Sequence, residues 1–310
     1  MLVLGQRYKF TTLELQRLEK KFENIQTLLY SDKEISQIIE EIESVIKNNS
    51  FTIILLNTKA KVDDELIKYL TNLKFKSNSS KFELISIEHF LEKYLHKCYI
   101  PEDHTDLHYL DDIKCFTKFQ YFQKRVIDFF GIFWLALFSS FVMLKSSKKI
   151  KKESSGPIFF KQLRVGYNNK EFKCIKFRTM HTDSDFFHHY TQENDPRIFP
   201  WGEHMRKRRY DELPQILNIL KGEMHLIGPR AEWNELVQNY EKEIPYYNQR
   251  HIVAPGITGW AQVMYPYGAN IEDTKQKLMY DLYYIKHWSI FLELKVVYKT
   301  AMVVLHKKGI

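Results

Sequence analysis

The chain is poor in cysteine, and the few it has are badly placed for a disulfide framework or a structural zinc site. Cys98, Cys115 and Cys174 are odd in number and show no paired spacing, which places the chain in a reducing compartment, on the cytosolic side. A dinucleotide fingerprint is missing as well, because Gly5, after the first apolar run, is not followed by a GxGxxG loop. The opening stretch MLVLGQRYKF lacks the basic-then-apolar run of a secretory signal, so export of the bulk of the chain is not expected. His188 and His189 have no third ligand at metal spacing and read as loop residues.

What the chain does have is length, positive charge and one long apolar run. Its 310 residues are enough for two domains. The formal net charge of +8 and a pI of about 9.0 suit a phosphate-rich partner: a nucleotide, a nucleic acid or an anionic membrane surface. Several of the cations lie beside the apolar run, where phospholipid is the nearer anion, so no nucleic-acid partner is expected.

Residues 1–98 alternate short apolar runs, MLVLG and FTIILLN, with the helical periodicity of SDKEISQIIEEIESVIKNN. This alternation predicts a small α/β domain of Rossmann-like kind with a largely parallel sheet, read as a regulatory or docking module. Residues 99–123 show no clean period and read as a linker.

Residues 124–152 contain about 19 mostly apolar positions, roughly 28 Å as a helix, close to a bilayer's thickness. Both flanks are basic, with Lys124 and Arg125 before and Lys145, Lys148, Lys149, Lys151 and Lys152 after. Matching flanks predict a segment that dips in and returns, or lies at the interface. A buried core helix is the alternative, opposed by Phe129, Phe133, Trp134, Phe138 and Phe141, which are too bulky and too widely spread for one packed stripe.

Residues 153–310 are punctuated by turn signals such as VGYNNK, LKGEMHLIGPR and APGITGWAQ. They predict a compact, loop-rich α+β domain of the kind that presents groups to a ligand. Helices are expected near Glu212 to Leu220, Glu232 to Tyr240, Thr274 to His287 and Ile290 to Leu305. Within this part, RRYDELPQIL sets Asp211 and Glu212 directly after four cations and ahead of Pro214. An acidic first turn of a helix would account for such a pair.

The blocks KRVIDFF, GPIFFKQLRVG, FKCIKFRTM, DELPQILNILKGEMHLIGPR, PGITGWAQV and YDLYYIKHWSIFLELKVV decide between these readings. In this order they resemble the bacterial sugar transferases, the monotopic phosphoglycosyl transferases, over about 60% of the chain from Lys124 onward. The resemblance implies transfer of a hexose 1-phosphate from a UDP-sugar to a polyprenyl phosphate, most simply undecaprenyl phosphate, in two steps with release of UMP. Asp211 would be the nucleophile, and Glu212 would help bind the Mg2+ the family requires. Lys176, Arg178, Arg206 and Arg230 match positions used for phosphorylated substrates, and Asp281 matches a recurrent acidic position. The implied location is the cytoplasmic face of the cytoplasmic membrane; a homodimer is one arrangement left open.

Each residue also has a plainer reading. Lys176 and Arg178 alternate with Ile175 and Phe177 as the exposed face of an edge strand would. Arg230 follows Gly228 and Pro229 in a turn whose carbonyls it could cap. Asp281 could pair with Lys277 or Lys286 on the surface.

Two departures stand out. Where the family breaks its membrane segment at a Ser-Pro pair, this chain has Ser140 followed by Phe141. The bend therefore loses its usual cause, although the Ser139-Ser140 pair can loosen a helix. A shallow or asymmetric insertion is expected, with a straight span or an in-plane helix also open. Larger members of the family carry a four-helix membrane bundle ahead of a cytosolic α/β domain, and the α/β part here is expected to be a reduced form of that domain. Glucose or galactose is the favoured sugar, an N-acetylated sugar is the alternative, and a scaffold without activity is the rival of another class.

Overall fold

A computed structural model describes the chain except for residues 30–32, 49–50, 59–62, 77–81, 103–110, 183–194, 266–267, 269 and 306–310. His188 and His189 lie outside the described residues. The fold is mixed α/β, and the chain forms two compact units, Met1–Tyr99 and Ile100–Ile310.

In the first unit the two apolar runs are β1 (Leu2–Leu4) and β3 (Ile53–Leu56). With β2 (Gln26–Leu28) and β4 (Glu83–Ser86) they form one four-stranded sheet in the order β2-β1-β3-β4. Every pairing is parallel, with Leu2 opposite both Gln26 and Ile54. Parallel neighbours need crossovers, supplied by α1 (Thr12–Glu19), α2 (Ile35–Asn48) and α3 (Asp64–Lys76). Ile38 and Ile42 of α2 and Leu66 and Leu70 of α3 each recur after four residues and join Leu2, Leu4 and Ile54 in one core. Complete burial of side chains like these contributes about 2 kcal/mol each. A short helix, α4 (Ile87–Phe90), runs into a π turn at Leu91–Leu95.

The second unit is organised along α5 (Lys118–Glu153), a helix of 36 residues. It begins within the segment read as linker, because Thr117 and Gln120 form a capping box there. The helix does not turn back. It is continuous through Ser139 and Ser140, which corrects the expectation of a dip and return. Phe141 keeps the backbone N–H that a proline would remove. The two serine hydroxyls donate to the carbonyls of Leu135 and Leu137, at 2.6 and 3.0 Å, without opening the helix.

The buried residues of α5 are Lys124, Asp128, Ile132, Ser139, Ser146 and Ile150. Steps of four and seven keep them on one side. Ile132 packs with Phe172, Ile216 and Ile219, and Ile150 packs with Phe177, Phe199 and Met205. Both ends of the helix are therefore seated on the same unit. Phe129, Phe133, Trp134, Phe138 and Phe141 face away, each more than half exposed. The alternative of a buried core helix is excluded by that exposure.

The remaining elements are small. An antiparallel hairpin joins β5 (Phe159–Val165) to β6 (Glu171–Phe177), with Phe160 opposite Lys176. A parallel pair joins β7 (His225–Ile227) to β8 (Gly256–Thr258). Around them lie α6 (Pro200–Lys207), α7 (Ile216–Leu220), α8 (Asn234–Glu243), α9 (Trp260–Met264), α10 (Ile271–Lys286) and α11 (Ile290–Leu305).

Candidate active site

The DELPQ stretch is not the first turn of an α-helix. Tyr210–Gln215 forms a 3-10 turn entered through Arg209, whose φ of 59° reverses the chain after α6, and α7 starts only at Ile216. The tighter turn carries Pro214 inside it and sets Asp211 and Glu212 apart from a regular helix face.

Glu212 is the electrostatic centre. One carboxylate oxygen, Oε1, lies 3.2 Å from Lys176 Nζ, 3.2 Å from both Nη1 and Nη2 of Arg230 and 3.7 Å from Arg209 Nη1. Burial opposes its charge, yet Lys176, Arg230 and Arg209 hold its pKa well below the usual carboxylate range. Asp211 is shifted the other way. Burial and then the neighbouring Glu212 charge raise its pKa, against the pull of Lys176, Arg206 and Arg209. Its Oδ1 is sealed from solvent and accepts no hydrogen bond, an arrangement that costs free energy unless something else binds there.

Strand β6 supplies Lys176. Its backbone edge is held by Asn218 of α7, whose Oδ1 accepts from Ile175 N at 3.0 Å and whose Nδ2 donates to Lys173 O at 2.9 Å. One side-chain amide thus does the work of a neighbouring strand and fixes the DELPQ turn against Lys176. Lys176 is not the exposed residue of an edge strand, since its ammonium group points at Glu212.

The GPR turn supplies Arg230. Gly228, Gly256 and Gly259 pack so closely that a Cβ on Gly256 would lie 2.1 Å from Gly228 N, and one on Gly259 2.1 Å from Gly228 O. This close approach aims the Arg230 side chain at Glu212 instead of at the turn carbonyls. The strand before it, β7, is tied to α5. Lys124 Nζ donates to Ile227 O at 2.9 Å and to Glu293 Oε1 at 2.8 Å, and Asp128 accepts from Leu226 N at 2.7 Å.

The other residues named from the sequence fall around this centre. Arg206 donates through Nε to Thr179 Oγ1 at 2.9 Å and contributes positive potential at Asp211. Its helix approaches Thr179 through Gly202, where a Cβ would lie 2.2 Å from Thr179 O. Arg178 is buried and bonds elsewhere, to Pro157 O at 2.7 Å, Ser154 Oγ at 2.5 Å and Ser154 O at 2.9 Å. It ties the end of α5 to the end of β6. Asp281 is not on the surface with Lys277 or Lys286; Lys277 donates to Gly268 O and Lys286 pairs with Asp112. Asp281 is buried 2.8 Å from Arg250 Nη2, and burial raises its pKa to about 6.

Arg250 and Asn218 are functional candidates that sequence reasoning did not single out. Arg250 stands just ahead of the PGITG block, and Asn218 is the polar residue among the apolar ones of ILNIL. Those contexts were their only sequence signals.

The bacterial sugar transferase family matches residues 119–307, more than half of the chain and all of the elements that build this site. The chain belongs to that family. This family member is 45% identical over 186 residues to the UDP-N-acetylgalactosamine-undecaprenyl-phosphate N-acetylgalactosaminephosphotransferase of Aeromonas hydrophila, covering 59% of this chain and 44% of that protein. It is 42% identical over 171 residues to the UDP-glucose:undecaprenyl-phosphate glucose-1-phosphate transferase of Xanthomonas campestris pv. campestris, covering 54% of this chain and 35% of that protein. It is 37% identical over 191 residues to the uncharacterized sugar transferase EpsL of Bacillus subtilis, covering 60% of this chain and 89% of that protein. The alignments thus span less than half of the first two relatives.

Among the described residues no group of three or more His, Cys, Asp or Glu side chains gathers as a metal cage. With Glu212 as the carboxylate expected to hold it, an ion here would have to take most of its ligands from substrate, as Mg2+ commonly does.

Proposed function

We propose that this sugar transferase moves a hexose 1-phosphate from a UDP-sugar to undecaprenyl phosphate at the cytoplasmic face of the cytoplasmic membrane, as the first membrane step in exopolysaccharide or other glycan assembly. The observation that carries the reading is the contrast within one turn. Asp211 keeps an unbonded buried oxygen, while Glu212 beside it is neutralised by Lys176, Arg209 and Arg230. A carboxylate with a free oxygen in a cationic field is suited to attack phosphorus in a diphosphate.

The Asp211 carboxylate attacks the phosphorus next to the sugar, the bond from that phosphorus to the bridging oxygen breaks, and UMP leaves with the electron pair. A phosphate oxygen of the lipid then attacks the same phosphorus, and the carboxylate is the leaving group. Lys176, Arg206 and Arg230 hold phosphate charge in both steps, since phosphoryl transfer depends chiefly on positioning and neutralisation. A Mg2+ held by Glu212 would neutralise diphosphate charge.

For the sugar, glucose or galactose is the first reading, supported by the similarity to the Xanthomonas UDP-glucose enzyme. An N-acetylated donor is the second, supported by the Aeromonas relative. Incubating the full chain with each UDP-sugar, without lipid acceptor, and weighing the intact protein tests all of this together. The expected result is a hexose-phosphate adduct with one donor and none in Asp211→Asn. Unchanged UMP release in that variant overturns the mechanism, and no release with any donor favours a scaffold.

A further inference from the structure

The polar side chains of α6 leave it in two directions. Arg206 turns toward Thr179 and Asp211. Trp201, His204 and Arg208 follow one another at steps of three and four along the helix and its C-cap, and so share a different face. The Trp201 and His204 rings stack with centroids 4.5 Å apart, and Arg208 Nη1 lies 2.8 Å from His204 Nδ1. From α5, Lys145 and Lys149 bring their ammonium groups to 5.3 and 5.8 Å from the centre of the Trp201 ring.

The three cations of this cluster make no ion pair: among the described residues no carboxylate pairs with Lys145, Lys149 or Arg208. Of the neighbouring acids, Glu203 pairs with Lys207 at 2.5 Å, and Glu153 accepts from the Trp201 backbone N–H at 2.7 Å, leaving one carboxylate beside three cations. The indole Nε1 of Trp201 is sealed from solvent and donates to nothing. His204 is held below its usual pKa by burial and then by the Arg208 and Lys145 charges. Two ammonium groups and a guanidinium converging on a stacked aromatic pair make a receptor for an anion.

The apolar surroundings say which anion. Trp134, Phe138, Lys145 and Lys149 stand four, seven and four residues apart along α5, a spacing that keeps them in one row. Trp134 and Phe138 stack at 5.8 Å and are 52% and 76% exposed. An exposed aromatic row that ends, about 10 Å further along the helix, in these cations is complementary to a hydrocarbon chain with phosphate at its head.

We propose that Lys145, Lys149 and Arg208, on a floor of Trp201 and His204, bind the phosphate of a membrane lipid whose chain lies along the Trp134 and Phe138 row. The site adjoins the Asp211 turn, with the His204 ring 6.2 Å from that of Tyr210, but it shares no residue with the cations that hold Glu212 and does not depend on the proposed reaction. A bilayer phospholipid and a polyprenyl phosphate share the required chemistry.

Flotation of the full chain with vesicles tests it. The vesicles are phosphatidylcholine alone, phosphatidylcholine with phosphatidylglycerol, and phosphatidylcholine with a polyprenyl phosphate. The variants are Lys145→Gln/Lys149→Gln and Arg208→Gln. A control, Lys170→Gln/Lys242→Gln, removes the same charge from exposed positions elsewhere in the unit. The double cluster variant is expected to bind lipid-phosphate vesicles roughly twentyfold more weakly, from about fivefold per lysine near an anionic surface, with the control within about twofold of the parent chain. Loss on the phosphatidylglycerol vesicles identifies a bilayer phospholipid; loss confined to the polyprenyl phosphate vesicles identifies that lipid. Lys145→Arg/Lys149→Arg, which keeps the charge, should restore binding and so separates the site from a folding defect. Cluster variants that bind both vesicle types like the parent, or a control that loses as much, overturn the proposal. Binding is read without turnover, so a chain that releases no UMP but shows this loss upholds the site and rejects only the reaction.

Discussion

Arg250 donates through Nη2 to the backbone carbonyl of Arg230 at 2.8 Å, while the guanidinium of Arg230 lies 3.2 Å from Glu212. The first arginine therefore holds the main chain of the second, and the second holds the acid of the DE pair. Asp281 lies 2.8 Å from Arg250 and is linked to the candidate site through it.

From this relay, Asp281→Ala is expected to leave the buried Arg250 without its carboxylate, at a cost of about 3 kcal/mol. UMP release should fall as well, because the Arg230 turn loses its support. Urea unfolding and a UMP assay on the same preparation check both. Full activity with a native midpoint would show that Asp281 does not support the turn.

Glu212→Gln removes the shared partner of Lys176, Arg209 and Arg230. UMP release should drop by about a hundredfold or more, on the scale of losing a preorganised electrostatic group. Glu212→Asp, which keeps the charge but shortens the reach, should recover part of it. Equal activity in the two variants would argue against a charge role.

Asp211 gives a pH prediction with a defined sign. Its pKa is raised in the folded state, so the carboxylate needed for attack is lost at a higher pH than the ordinary value of about 3.9. The acid limb of UMP release should sit correspondingly high. By linkage, the same raised pKa favours the fold below the unfolded value, and that contribution is lost as pH rises through the folded one. Asp211→Asn should therefore melt higher than the parent chain at neutral pH, and a lower melting temperature would contradict the assignment.

Asn218→Ala should cost about 1–3 kcal/mol by stranding the Ile175 amide and the Lys173 carbonyl. A loss of less than about 0.5 kcal/mol in urea unfolding would mean that β6 is held by something else.

The straightness of α5 is open to direct measurement. Spin labels at Val126 and Lys148 span 22 helical residues, which a continuous helix separates by about 33 Å along its axis. Phe141→Pro should shorten that distance by removing a backbone donor and forcing a bend. A short distance in the parent chain would show that the helix already folds back.

Much of the local architecture was legible in the residues. The runs around Leu2–Leu4 and Ile53–Leu56 became neighbouring parallel strands. The apolar stretch from Val126 to Leu144 became part of one long helix. The RRYDELPQ sequence placed its carboxylates among cations, as charge adjacency in the chain requires. These features depend on periodicity, turn chemistry and near neighbours, which a sequence carries on its face. The tertiary structure decided which distant groups meet: Asn218 with the edge of β6 across 43 residues, Lys124 with Glu293 across 169, and Asp281 with Arg250 instead of a nearby lysine. It also decided that Arg178 braces a helix end while Lys176, two positions away, enters the site. A buried charge takes whichever partner the packing brings within reach, and packing is a property of the whole fold that no short stretch of sequence contains.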